Sequence, residues 1–186
     1  DTANFDTGIP ALTYQLRGIC QVDVEVQCLE RPVHSGMWGG PVPDPVQILC
    51  VLIASLQGKK GEIAVPGLYK QVAKTGKTQL QRIRKLPFNE AKFKREARMM
   101  KGMKLAGEKG YSVYEQLWTR PSLVVIAFDA RPIKGSSNQI IDHVTARLSL
   151  RTVPNMDAKA AGKAIIKKLT AKPPYGAKVT AEIVGS

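Results

Sequence analysis

In the stretch ICQVDVEVQC at residues 19–28, apolar and polar residues alternate without a break from Cys20 to Cys28. Cys20, Val22, Val24, Val26 and Cys28 fall on one side, and Gln21, Asp23, Glu25 and Gln27 on the other. Successive strand side chains point to opposite faces, so this period predicts a strand with one face on a core and one face wet. The next stretch, RPVHSGMWGGPVP at 31–43, is rich in glycine and proline and predicts irregular structure. Asp44 then offers an N-cap with Pro45 at the first helical position, which predicts a helix over 46–56. That helix carries Val46, Ile48, Leu49, Cys50, Val51, Leu52, Ile53, Ala54 and Leu56, so it is apolar on nearly every side. A helix in a small domain normally shows one apolar stripe. This one needs a second apolar neighbour, either a subunit or domain interface or another layer of its own domain.

Further along, GEIAVPGLY at 61–69 predicts a short strand ended by Pro-Gly. Residues 71–120 read as helical and basic, with Asn89 capping a helix from Glu90 to about Met103 and a second helix near Val113–Trp118. Ser122–Phe128 (SLVVIAF) is β-branched and predicts a buried strand. Ile140–Val153 predicts another, with Ile140, Val144, Ala146, Leu148 and Leu150 on one side. Asp157 caps a helix to about Leu169, and Val179, Ala181 and Ile183 alternate with polar residues in a last strand, Lys178–Val184. With the basic stretch set aside, the order is strand, helix, strand, strand, helix, strand. That is the split β-α-β pattern of an α+β, ferredoxin-like two-layer sandwich: a four-stranded antiparallel sheet with helices on one face.

Composition narrows this picture only a little. The chain has 186 residues, 44% hydrophobic and 23% charged, which suits one globular domain with a real core. No apolar run approaches the roughly 18 residues that span a bilayer, so no membrane partner is expected. The opening DTANFDTGIP lacks a basic region followed by an apolar stretch, so it is not expected to act as a signal peptide. Cys20, Cys28 and Cys50 are odd in number and without metal-like spacing; they read as buried free thiols, consistent with a reducing, cytoplasmic setting. The net charge of +13 is the unusual figure, and much of the excess lies between Lys70 and Lys109, including KFKREARMMKGMK at 92–104. Such a run is usually a solvated helix face. It leaves open a stand-alone binding module for nucleic acid, although no aromatic-interleaved stacking motif accompanies it.

Four stretches then occur in an order that resembles a known family. LRGIC at 16–20 leads into VDVEV, VHSGMWGGPVPDP spans 33–45, GEIAVPGLY spans 61–69, and RTVPNMD spans 151–157. Together they resemble the dimerisation (lid) domain of the aminoacylase–carnosinase–carboxypeptidase group, peptidase family M twenty. The likeness covers essentially the whole chain. It implies residues 1–10 at the boundary of a catalytic domain and a lid over 11–184, with a helical insertion at about 70–120. It further implies a zinc-dependent dipeptidase or aminoacylase-type amidohydrolase: a homodimer with two zinc ions in another domain, hydrolysing peptides or N-acyl amino acids that carry a free carboxylate. By itself this chain would be inert, because a single carboxylate cannot hold zinc.

The resemblance also assigns residues. His34 matches the lid histidine that reaches into the partner subunit's active site and stabilises the oxyanion. Arg151 matches the arginine that grips the substrate carboxylate, a task suited to a bidentate guanidinium. Asn138 sits where the family contacts substrate, also in trans, although Ile140-Ile141-Asp142 here replaces the usual Ile-Pro. Asp1 falls where the family places a metal ligand. From the residues alone, His34 reads equally as an exposed or capping loop residue, Arg151 as a strand-end salt-bridge former, and Asp1 as a chance terminal acid.

Overall fold

The computed structural model describes residues 5, 8–13 and 15–186, so Asp1 lies outside the described residues. The chain begins with β1 (Gly18–Gln27), followed by a two-residue strand β2 (Val33–His34) and a single helical turn α1 (Ser35–Trp38). Helix α2 (Pro45–Ala54) comes next, then three short helices in the basic stretch: α3 (Lys77–Arg84), α4 (Glu90–Glu96) and α5 (Val113–Thr119). The chain returns through β3 (Ser122–Asp129), β4 (Gln139–Ile140) and β5 (His143–Thr152), and closes with α6 (Ala158–Thr170) and β6 (Lys178–Gly185). The four long strands form one antiparallel sheet in the order β3-β5-β1-β6, while β2 and β4 pair separately. This is the sandwich that the alternation predicts.

The inward residues of β1 are Cys20, Val22, Val24 and Val26, all buried. Opposite them on β5 stand Leu150, Leu148, Ala146 and Val144, paired in register. Ile48, Leu49 and Leu52 of α2 and Ala161, Ile165 and Leu169 of α6 cover this face. Both helices start as their caps dictate. Asp44 accepts from the amides of Val46 and Gln47, and Asp157 from that of Ala160. On the sheet's other face the cross-strand pair Asp23–Arg147 is bidentate, at 2.6 and 2.7 Å. Those two hydrogen bonds hold the Asp23 carboxyl below its ordinary range.

Gly162 lets α6 sit close to the sheet. A Cβ there would lie 2.6 Å from the Cys20 Sγ and 2.9 Å from the Ile183 Cδ1. Alanine would gain up to about 1 kcal/mol of helix propensity, against about 1–3 kcal/mol for overpacking a filled core. Gly162→Ala should therefore destabilise the domain in urea unfolding, and a raised midpoint would contradict this account of the contact.

Five local expectations are corrected. Residues 31–43 do hold regular structure, because Val33 and His34 find a partner strand in β4 and His34 caps α1. GEIAVPGLY forms an isolated bridge between Gln57 and Ile63 rather than a strand, and a 3-10 turn follows at Leu68–Gln71. Helix α4 ends at Glu96, well short of Met103: Arg98 turns left-handed (φ 52°), and the amide of Met99 closes back on the Lys94 carbonyl at 2.9 Å. Of the three cysteines, which are unpaired, only Cys20 is buried, while Cys28 is half-buried and Cys50 exposed. Finally, β3 is an edge strand with Val124, Val125, Ile126 and Phe128 all 43–53% exposed, not a buried one.

The basic stretch has its own fastenings. The guanidinium of Arg120 lies between the rings of Tyr69 and Tyr111, 4.4 and 4.5 Å from their centroids, and is bidentate to Glu108. Buried Glu115 closes a capping box with Ser112 and accepts two bonds from Arg84. Burial alone would raise its carboxyl, but Arg84 and Ser112 outweigh burial and hold it low.

Candidate functional site

His34 closes β2 opposite Gln139 of β4. One residue on, the amide of Ser35 donates to the Asn138 carbonyl at 2.9 Å. A two-residue ladder thus brings His34 and Asn138 together although about a hundred residues separate them in the chain. Both are exposed. The ladder is anchored to the sheet, because the carbonyl of Asp142 accepts from the amides of Cys28 and Leu29 at 2.9 and 3.4 Å. Asp142, in the departure from the family's Ile-Pro, therefore supplies a tie between β4 and the end of β1.

The imidazole of His34 is fixed by its own loop. Its Nδ1 accepts from the amide of Gly36 at 3.1 Å. That bond needs the ring's lone pair at Nδ1, so the neutral ring carries its proton on Nε2 and presents a donor outward. Any residue larger than glycine at 36 would press on this ring, its Cβ 2.9 Å from the histidine Cε1. The capping and the outward-facing reading of His34 are therefore both satisfied by one geometry. Next to it, Met37 and Trp38 of α1 are 75% and 50% exposed, an apolar pair carried on the tip of the domain.

Arg131 is a member of this corner that sequence reasoning missed. Its Nη1 donates to the Ser137 hydroxyl at 3.1 Å and to the Gln139 side-chain oxygen at 2.5 Å, so it holds the residues on either side of Asn138. Only the return of the chain after β3 reveals this clamp; no local pattern marks it.

Arg151 lies elsewhere. It sits near the end of β5 on the face away from the helices, exposed, between Ile19 of β1 and Ser122 of β3. His34 and Asn138 adjoin the other end of the sheet, where β5 begins at His143. From His143 to Arg151 is eight residues, and at about 3.4 Å per residue the span is about 27 Å. One copy of the chain thus keeps Arg151 and His34 far apart. Arg17 is Arg151's neighbour: its Nη2 donates to the Ser122 hydroxyl at 2.8 Å and to the Arg120 carbonyl at 3.2 Å. No group of three or more His, Cys, Asp and Glu side chains among the described residues converges to hold a metal. The His143 Nδ1 lies 3.1 Å from the carboxylate of its neighbour Asp142.

A family model described as a peptidase dimerisation domain matches residues 14–177. The chain is 32% identical over 185 residues to a cysteinylglycine-S-conjugate dipeptidase of Corynebacterium striatum, covering 100% of this chain and 39% of that protein. Its fold superposes on the structure of human carnosine dipeptidase 1 with a TM-score of 0.74 and 25% identity, covering 90% of this chain and 36% of the other. A di-peptidase of Saccharomyces cerevisiae gives a TM-score of 0.73 at 25% identity, over 92% and 36%. The chain therefore spans less than two fifths of the length of each of these relatives.

Proposed function

The chain belongs to the peptidase dimerisation domain family, and from that premise we propose that it is the dimer-forming, substrate-gripping part of a metal-dependent dipeptidase or aminoacylase-type hydrolase. The alternative of a stand-alone nucleic-acid module has no support, since the family match runs through the basic stretch itself.

What carries the reading is the separation of the candidate side chains. His34 and Asn138 share one end of the sheet and Arg151 occupies the other. A dipeptide is far shorter than about 27 Å, so these groups act on one substrate only if two copies of the chain supply them. In the homodimer, Arg151 grips the substrate's free carboxylate as a bidentate guanidinium. The partner's loop brings the His34 Nε2–H to the scissile carbonyl, where it donates to the oxygen as negative charge develops. Asn138 adds a polar contact beside it, held in place by Arg131. The relatives include metallodipeptidases, and a divalent metal, zinc by the family resemblance, would polarise the carbonyl and supply the attacking water. The described residues do not form its site, and by the family resemblance Asp1 would be a ligand to it. The setting proposed is cytoplasmic.

The dimer contact is assigned to β3 and α2. Strand β3 is paired on one side only, and its Val124, Ile126 and Phe128 are 53%, 51% and 43% exposed. Such an apolar edge is normally covered or paired. Val51 of α2 is 58% exposed, and Ile53 of that helix and Val125 of β3 line one groove of about 470 Å³. This is the second neighbour that the all-round apolar helix requires. Changing Ile126 to lysine should place a charge in the contact and shift the protein that carries this chain from dimer to monomer in sedimentation velocity. A dimer of unchanged affinity would move the interface elsewhere.

A further inference from the structure

Arg17 and Arg151 form a pair of guanidiniums at the same end of the open sheet face. Ser122, to which Arg17 donates at 2.8 Å, is the ladder partner of Arg151. Arg17 comes from the approach to β1, on one side of β5, and holds the start of β3, on the other side. Its guanidinium therefore crosses the end of β5 next to the Arg151 position. Among the described residues neither arginine has a carboxylate partner, whereas Arg84, Arg120 and Arg147 each have one. The Nε of Arg17 is buried and makes no hydrogen bond. Its guanidinium is pushed below its ordinary range by burial first and by the charge of Arg151 second.

A clamp between β1 and β3 needs only a neutral donor, because its two acceptors are a hydroxyl and a carbonyl. A permanent charge here is costly: it is partly desolvated, it faces a like charge, and one of its donors is unsatisfied. One shared anion offsets the lost solvation of the charge and the like-charge repulsion. We propose that Arg17 is the second arm of a two-guanidinium site for a carboxylate, with Arg151 as the first, so that the terminal carboxylate of a peptide is held by both. Arg17 then tethers to β3 through Nη2 and turns its remaining N–H groups toward the anion. This deepens the reading of Arg151 given above and rests on it. It adds a specificity that one arginine does not give: two cations set against one acid discriminate strongly against a neutral carboxamide.

The first test uses the unmodified protein that carries this chain and needs no turnover. Phenylglyoxal modification of individual arginines is mapped by mass spectrometry in excess N-acetylglycine and in excess N-acetylglycinamide. Arg17 and Arg151 should be protected together by the acid and not by the amide. Protection of Arg151 alone overturns the second arm, and protection of neither overturns both arms. The second test compares Arg17→Met and Arg151→Met on alanylglycine and on alanylglycinamide. Each should raise KM for the acid by about 10–100-fold, the loss of a charge-assisted bond, with kcat and the amide reaction little changed. Arg17→Lys should recover part of the affinity. Equal losses on acid and amide in Arg17→Met would reduce Arg17 to a structural clamp while Arg151 keeps its role. An unaltered acid-over-amide preference in Arg151→Met would instead remove the carboxylate reading of Arg151.

Discussion

Replacing His34 with alanine should lower kcat by about 10²–10³-fold, the usual cost of removing one oxyanion donor. The basis is geometric. The Gly36 amide occupies Nδ1, so the ring's one outward donor is Nε2–H, presented from an exposed loop tip. Alanine also removes the cap of α1, a loss of about 0.5–2 kcal/mol, so a control is needed. His34→Ser restores a capping oxygen but is too short to reach another chain, and it should be nearly as slow as alanine. Metal content should remain at the wild-type level in both variants, since no described side chains near His34 converge as ligands. Full turnover in His34→Ala would remove the residue from the chemistry. Recovery in the serine variant would make it a loop-capping residue only.

At substrate well below KM, where both variants turn over slowly, mixing His34→Ala with Arg151→Met should restore activity. A His34→Ala subunit keeps its own Arg151, and an Arg151→Met subunit keeps its own His34. If the histidine acts across the interface, one site of the mixed dimer has every group and the other lacks both. Random reassociation of a two-fold dimer makes half of the dimers mixed and half of their sites complete, so activity should reach about a quarter of wild type. If both groups act within one copy, the mixture stays as slow as its parts at that substrate concentration. The about 27 Å along β5 is what makes this decisive: the ladder that carries His34 is tied to the sheet beside the start of that strand, and Arg151 stands near its other end. Pre-treatment that prevents subunit exchange should abolish the recovery, which separates true complementation from contamination by active enzyme.

Arg131 and Arg17 explain why so much of the site is hidden from a linear reading. His34 and Arg151 entered through motifs that resemble a family, and from local pattern each is an ordinary loop or strand-end residue. Asn138 likewise has no local signal, and the turn after it is tied to the sheet where the Asp142 carbonyl accepts from the amides of Cys28 and Leu29. Arg17 carries no local signal, because it reaches Ser122 over a separation of 105 residues; Arg131 meets side chains only six and eight residues further on, but no periodicity or cap marks a clamp within an irregular loop.

The division follows from the range of the forces. Side-chain alternation in β1 and β6 and the caps Asp44 and Asp157 depend on neighbours within a few residues, so the sequence by itself determined those elements. Their order was enough for the sandwich, since few topologies satisfy it. Exposure is different. SLVVIAF reads the same whether a strand is covered on both sides or left at an edge, and only the sheet order places β3 outermost. The capped helix after Asn89 likewise ends where Arg98 turns left-handed, a conformation that propensity assigns to glycine and that tertiary context gave to arginine. The tertiary structure alone decided that His34 meets Asn138 and that Arg151 stands at the far end of the sheet. Both facts depend on which strands pair, and pairing is settled by the burial of a shared core rather than by any residue at the site.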